Sequence, residues 1–325
     1  MNMKLIKLED ITGEEILAKS VVTEGFIELL SEGTKLSQVY VQKLRELGVK
    51  EVFVHDDRAS AETIEILKQD LTNKCREQVK SIISKHTYNH NENSMIEISK
   101  TADNIIAGIL SEENVIEQVF DIRERSADIY EHSINTCSMA MLVALKMRLK
   151  HSLVHDIAVG CLLHDIGMRY ITVPYENIDA EKLDDKDREE YRKHPVYGYS
   201  ALKSENWLNK ESKEIILCHH ERLDGSGFPL HAKDLSIGVK IVSLCDFFDE
   251  AICGICMERM KVHEVVEFIK VNSGILFDTS VVSELLDFTA VYPSKSVVIT
   301  NGGECAVVIK QNKGFPERPV LQLLS

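Results

Sequence analysis

The segment Leu162-Leu163-His164-Asp165-Ile166-Gly167 sets an imidazole and a carboxylate side by side inside an apolar run. Burying a polar group without a partner costs roughly 2–7 kcal/mol, and a bare charge more, so a fold that buries this pair must supply partners for it. More residues of the same kind stand in apolar company: His132 before the pair, then His194, His219-His220 and Asp246 after it. Five of the chain's 12 histidines belong to this set. A cluster of divalent metal ions is the simplest partner that satisfies them all.

Helical spacing makes the cluster geometrically feasible. Asp128 and His132 are four residues apart and share one helix face. The spacing predicts a buried helix from Val154 to Ile166, ended by Gly167, on which His164 and Asp165 project about 100° apart. His194 precedes a helix expected over Val196–Leu202, His219-His220 closes the apolar run Ile215-Ile216-Leu217, and Asp246 lies in, and Asp249 directly after, a helix expected over Val239–Phe248. The candidate metal ligands are therefore Asp128, His132, His164, Asp165, His194, His219, His220 and Asp246. Asp249 either hydrogen-bonds a ligand or packs the helix. Mixed imidazole and carboxylate donors suit iron, manganese, zinc or cobalt, and the lack of cysteine in the set argues against a structural zinc site. So many donors exceed the needs of one ion, and two or three are implied. Paired divalent ions activate a water nucleophile and stabilise a departing phosphate-ester oxygen, which favours phosphodiester hydrolysis with His164 and Asp165 at its centre.

The rest of the chain supports this centre. Residues 1–56 read as a small α/β accessory or regulatory module: short strands at Lys4–Leu8, Ile16–Val22 and Phe26–Leu30, turns at Thr12-Gly13 and Glu24-Gly25, a helix over Ser37–Leu47 stopped by Gly48, and a strand at Glu51–Val54. Residues 57–119 read as a helical linker region, with a long helix over Ala61–His86, a polar break at Tyr88–Asn93, and further helical pattern over Ile96–Leu110 and Glu113–Arg123. Residues 120–325 hold the candidate chemistry and end in a hairpin, Val297–Ile299 and Ala306–Ile309, turned at Asn301-Gly302-Gly303. A net charge of -14 excludes generic binding to a nucleic-acid polymer or an anionic membrane, although a local basic pocket for a small nucleotide is compatible with it. The start carries no signal-peptide core and no apolar run reaches the length of a membrane span, so a cytoplasmic location is expected. The eight cysteines read as buried reduced thiols, the lone Cys253-Gly-Ile-Cys256 included.

These residues resemble the HD-domain phosphohydrolases. The stretch His219-His220-Glu221-Arg222-Leu223-Asp224-Gly225-Ser226-Gly227-Phe228-Pro229 is similar to the HHExxDGxGYP signature of the HD-GYP branch, with Phe228 in place of its tyrosine. The resemblance runs from about residue 120 to the end. It implies a mainly α fold, an HD-type helical bundle, and hydrolysis of cyclic di-GMP to pGpG or GMP. It also implies two or three iron or manganese ions held by His132, His164, Asp165, His194, His219, His220 and Asp246. Asp128 falls where some members carry a third-metal glutamate. The small first module fits a sensory role, and a homodimer is compatible with the family. Three family cations are replaced: the lysine after HDIG is Met168, and the RPYR stretch becomes Ile255-Cys256-Met257-Glu258, with Ile255 and Glu258 at its two cation positions. Each lost charge-assisted contact is worth about 1.5–3 kcal/mol. Arg222, Asp224, Gly225, Gly227 and Lys240 are the candidate substrate contacts, the glycines by permitting a tight loop, and Arg169 and Arg259 are further cations within reach in sequence. The alternatives are a weak or inactive cyclic-dinucleotide sensor or interaction module, and a phosphohydrolase for another nucleotide.

Overall fold

The structure is a computed structural model that describes residues 3–13, 15–18, 21–22, 28–31, 33–55, 69–89, 92–110, 120–121, 128–173, 179–292, 297–312, 315 and 317–323. The expected turn at Glu24-Gly25, residues 61–68 of the expected long helix and most of the expected Glu113–Arg123 helix lie outside the described residues.

Near the start, β1 (Met3–Lys7), a 3-10 turn (Leu8–Asp10), β2 (Val21–Val22), β3 (Glu28–Leu30), α1 (Gln38–Glu46) and β4 (Glu51–His55) surround a small core of Leu8, Leu17, Leu36, Val41, Leu44, Val52 and Val54. β1 and β4 pair antiparallel with Lys4 opposite Val54 and Ile6 opposite Val52. Alternation along β4 turns Val52 and Val54 inward, as a strand with one buried face requires. Ser37 caps α1 by accepting from the Tyr40 amide. The strand expected over Ile16–Val22 is shorter than the sequence implies: the described part holds isolated bridges at Ile16 and Leu17 and the two residues of β2.

The main body is helical. After α2 (Gln69–Asn89), α3 (Glu92–Leu110) and β5 (Phe120–Asp121) come α4 (Ile129–Lys146) and α5 (His151–Leu163). A 3-10 stretch, His164–Tyr170, leads to α6 (Asp185–Tyr191), α7 (His194–Leu202) and α8 (Lys210–Cys218). Then follow α9 (Ile237–Cys253), α10 (Val262–Val271), α11 (Thr279–Phe288) and β6 (Thr289–Ala290). Every residue of α4 from His132 to Ala144 is buried; a helix apolar on all sides belongs at the centre of a bundle. It packs on α5 and α9, and α5 packs on α8. Cys75, Val79, Ile98 and Ile105 of α2 and α3 enter this same core. The chain closes with β7 (Val297–Ile299), β8 (Cys305–Lys310) and β9 (Val320–Leu323); β7 and β8 form the expected antiparallel pair, and β9 adds a third strand. No described helix is long and apolar enough to cross a membrane.

Two expectations need correcting. The helix expected to run to Ile166 ends at Leu163, and His164–Tyr170 wind as a 3-10 helix. The cause is close packing against α7: a Cβ on Gly167 would lie 1.9 Å from the His194 carbonyl oxygen, an approach only glycine permits. Phe120-Asp121, read as helical, is a strand pairing in parallel with Thr289-Ala290; this long-range pairing leaves no trace in local periodicity.

Candidate metal centre

Five segments bring donors to one buried point, four of them as follows: α4 carries His132, the 3-10 stretch carries His164 and Asp165, α7 begins at His194, and α8 ends beside His219 and His220. α9 contributes Asp246 from its inward face. His132, His164, His194 and His219 are at most 1% exposed, and Asp165, at 9%, is the ligand nearest solvent. The donors fall into overlapping groups whose ligand atoms lie within 4.8 Å of one another: Asp165 with His194, His219 and His220; His132 with His164 and Asp246; and His220 with Asp246 and Glu250.

Outward hydrogen bonds fix how the rings point. His132 Nδ1 faces Asp249 Oδ2 at 2.9 Å, His164 Nδ1 the Cys161 carbonyl at 2.6 Å, and His194 Nδ1 the Tyr191 carbonyl at 2.8 Å. His219 Nδ1 lies 3.2 and 3.1 Å from the carbonyls of Ile215 and Ile216. Carbonyl and carboxylate oxygens only accept, so Nδ1 carries a proton in each ring and Nε2 turns inward. Such support sets the tautomer of metal-binding imidazoles. Asp165 lies between the groups: Oδ2 is 3.2 Å from His164 Nε2 and 3.8 Å from His132 Nε2, and Oδ1 is 3.4 Å from His194 Nε2 and 3.7 Å from His219 Nε2. It sits where a bridging carboxylate belongs.

The electrostatics agree. Burial disfavours the His132 imidazolium, but hydrogen bonds to Asp246 and Asp249 overcome it and raise the ring to about 10. His164 is likewise raised against its burial by Asp165 and Asp246. Burial, then the neighbouring His164, pushes His219 down to about 3, and burial also lowers His194 and His220. Burial opposes ionisation of Asp165 and Asp246, yet the facing histidines hold both well below the usual carboxylate range. A site that draws a proton onto two rings and keeps three others neutral is suited to divalent cations.

Fit to metal also rests on an orphaned atom. Asp246 Oδ2 is buried with no hydrogen-bond partner. His194 Nε2 and His219 Nε2 stand 3.1 Å apart while both Nδ1 atoms are donors, so two lone pairs face each other unless a cation lies between them. The donor set fits a cluster of divalent ions.

Other expected residues lie elsewhere. Asp128 is the N-cap of α4: it accepts from the Tyr130 and Glu131 amides and pairs with Arg76, to whose Nε it stands at 3.1 Å. Its carboxylate is committed there, not to the cluster. Lys240 pairs with Asp278 at 3.2 Å. Arg222 donates to the His219 and Glu221 carbonyls and lies over the Phe277 ring, and Arg259 pairs with Glu51 and donates to the Cys253 carbonyl. Asp224 closes an exposed turn by accepting from Ser226. Gly225 takes φ 82°, and a Cβ on Gly227 would meet His220 O and Glu221 Cα at 2.4 Å; both glycines shape the loop. Glu221 pins that loop, its two oxygens accepting from the Leu230 and Ala232 amides.

The positions of the missing cations are filled by packing. Met168 and Ile255, 4% and 1% exposed, share an apolar cluster with Tyr191 and Cys256, and Phe228 packs against it. Tyr191 adjoins His194, and Phe228 stacks on His220 with ring centroids 4.6 Å apart. Glu258 instead pairs with Lys182 at the surface. A cavity of about 80 Å³ lined by Tyr130, Ser133, Met168 and the exposed Arg169 reaches Asp165. Three contributors were not singled out from the sequence: Glu250, Tyr191 and Arg192, whose guanidinium lies 5.6 Å from the Phe228 ring centroid. Glu250 follows Asp246 by one turn, which was the available signal; the other two have none without the fold.

A family profile described as HD domain matches residues 122–281. Residues 122–281 are thus similar to the HD-domain family. Their HD pair is His164-Asp165. A cyclic di-GMP phosphodiesterase of Pseudomonas aeruginosa is 26% identical over 217 residues, covering 66% of this chain and 52% of that protein. A 3'3'-cGAMP-specific phosphodiesterase of Vibrio cholerae is 26% identical over 214 residues, covering 63% of this chain and 38% of that one. The chain thus spans about half or less of the length of these curated relatives. Among solved structures, an HDG"Y"P protein from Bdellovibrio bacteriovorus superposes with a TM-score of 0.59 at 15% identity, covering 87% of this chain and 98% of that one; the likeness is one of fold.

Proposed function

We propose that this protein is a metal-dependent phosphodiesterase that hydrolyses a cyclic dinucleotide, with cyclic di-GMP the first candidate and pGpG or GMP the product. The observation that carries the reading is the convergence of inward Nε2 atoms on Asp165 and Asp246. Five histidines and two carboxylates is more than a structural site requires. His132, His164 and Asp246 would hold one ion, and His194, His219 and His220 another, with Asp165 between them; iron or manganese fits these donors. Bound there, divalent ions would supply a water nucleophile at neutral pH and neutralise charge on the phosphate.

The chain's own residues do the rest. Asp249 and the backbone carbonyls hold four rings in the tautomer that leaves Nε2 free. Glu221 and Gly227 keep the following loop against His220, and Phe228 and Tyr191 exclude water from that side. Arg169, at the cavity that reaches Asp165, and Arg192, over Phe228, are the cations positioned to meet a phosphate in place of those absent at 168 and 255. The reaction adds water oxygen to phosphorus, and one ribose oxygen leaves with a proton.

A second reading has its own observation. A cavity of about 80 Å³ beside Asp165 is well below the roughly 300–1,000 Å³ of small-molecule sites, and Met168 and Ile255 make the neighbouring wall apolar. A smaller phosphate ester, or a dinucleotide bound without turnover, fits that wall better. The deciding experiment is turnover by anaerobically purified protein loaded with iron or manganese, given cyclic di-GMP, 3'3'-cGAMP and a panel of mononucleotide esters, with His164→Ala as control. Linear or mononucleotide product from a cyclic dinucleotide with wild type alone supports the first reading. Product only from smaller esters, or none at full metal loading, overturns it in favour of the second.

A further inference from the structure

We propose that Glu250 is a ligand of an additional metal ion, held with Asp246 and His220 on the side of the cluster away from His132 and His164. The inference rests on the metal-centre reading and extends it to a residue outside the HD-GYP-like motifs.

Three observations carry it. Glu250 lies one turn after Asp246 on α9, so both carboxylates project from the same face, and ligand atoms of Glu250, Asp246 and His220 lie within 4.8 Å of one another. Glu250 is 7% exposed, yet its carboxylate makes no hydrogen bond or ion pair among the described residues. The third observation is independent of it: Asp246 divides its oxygens. Oδ1 stands 3.1 Å from the Nε2 atoms of both His132 and His164, while Oδ2, buried and without a hydrogen-bond partner, points to the other side, 3.6 Å from His220 Nδ1. A bare buried carboxylate beside an orphaned carboxylate oxygen is unfavourable on two counts: each lacks a donor, and like charges repel. A divalent cation between them removes both.

Charge and ligand supply favour the same assignment. Asp165, Asp246, Asp249 and Glu250 bring four buried carboxylates to the cluster, against the raised rings of His132 and His164 and Arg222, which already donates to two carbonyls. Asp128, the other acid considered for an additional ion, is occupied by Arg76 and the α4 amides. Glu250 is therefore the carboxylate free to serve, and it comes from α9 and not α4. A glutamate here also explains why α9 keeps an acid in a stretch where Phe248, Ala251 and Ile252 are wholly buried hydrophobics.

The test compares full-length wild type with Glu250→Gln after anaerobic loading with manganese and gel filtration. Metal per chain is read by elemental analysis, and ion coupling by electron paramagnetic resonance. The expected result is about one manganese fewer per chain in the variant, with the remaining ions retained and an altered resonance spectrum. Thermal unfolding of the chelated proteins guards against a merely structural role: the chelated variant should melt close to chelated wild type, because glutamine keeps the shape of glutamate, and should gain less on adding manganese. Should Glu250→Gln fail to fold, Glu250→Ala, which places the best helix former in α9, gives the same comparison. Equal metal content and equal spectra in variant and wild type would overturn the assignment while leaving the seven-residue centre standing. Wild type that takes up no metal would overturn both.

Discussion

At the scale of single residues, the account depends on what lies behind the ligands. Asp249 Oδ2 accepts from His132 Nδ1 at 2.9 Å and so keeps Nε2 turned to Asp246 and Asp165. Asp249→Asn should weaken metal affinity about 10–100-fold, read by competition with a chelator of known affinity; unchanged affinity would remove Asp249 from the site. Protonation makes a second test. In chelated protein His219 stays neutral down to about 3 although an unfolded histidine titrates near 6.5, so the unfolded state binds more protons in that window and stability falls as pH drops through it. His132 is raised to about 10, so its contribution is complete below about 6.5 and is lost as pH rises towards 10. The chelated protein should therefore melt highest near pH 6.5, with the alkaline side recovered on adding metal, which replaces the proton on His132. A flat profile of melting temperature against pH would contradict these assignments. The convergence of the seven central histidines and aspartates was legible in the sequence because such residues in apolar helices have few other uses. Glu250 and the carbonyl of Tyr191 were not, since which turn of α9 faces His220, and which carbonyl meets His194, follow from packing.

At the scale of elements, Asp128 shows where local spacing misleads. Four residues before His132 it has the position of a ligand on a shared face, yet the helix begins at Ile129 and Asp128 caps it. Its carboxylate joins α2 to α4 through Arg76. Asp128→Ala should lower stability by about 0.5–2 kcal/mol in denaturant unfolding while metal content stays at the wild-type value; loss of metal with little loss of stability would restore it as a ligand. The helices α4, α5, α7, α8 and α9 were readable from their apolar patterns to within a few residues. The 3-10 turn that presents His164 and Asp165 was not, because it is imposed by the approach of Gly167 to His194 O, a contact between segments. The two-residue pairing of β5 with β6 is equally non-local.

Across the whole molecule, the first α/β unit touches the helical bundle close to the centre. Arg259 bonds Glu51 on β4 at 2.7 Å and the carbonyl of Cys253 at the end of α9, the helix that carries Asp246, Asp249 and Glu250. Beside that junction, Ile255 and Met168 close an apolar wall where the related signature carries cations, while the metal-type donors of the cluster are in place. The most direct test of the central claim is anomalous diffraction from crystals of the full chain loaded anaerobically with manganese or iron. At least two ions are expected between Asp165, Asp246 and the five histidines, roughly 3.5–4 Å apart, bound through Nε2 of His132, His164, His194 and His219. Fully loaded crystals with no anomalous density at this point would contradict it.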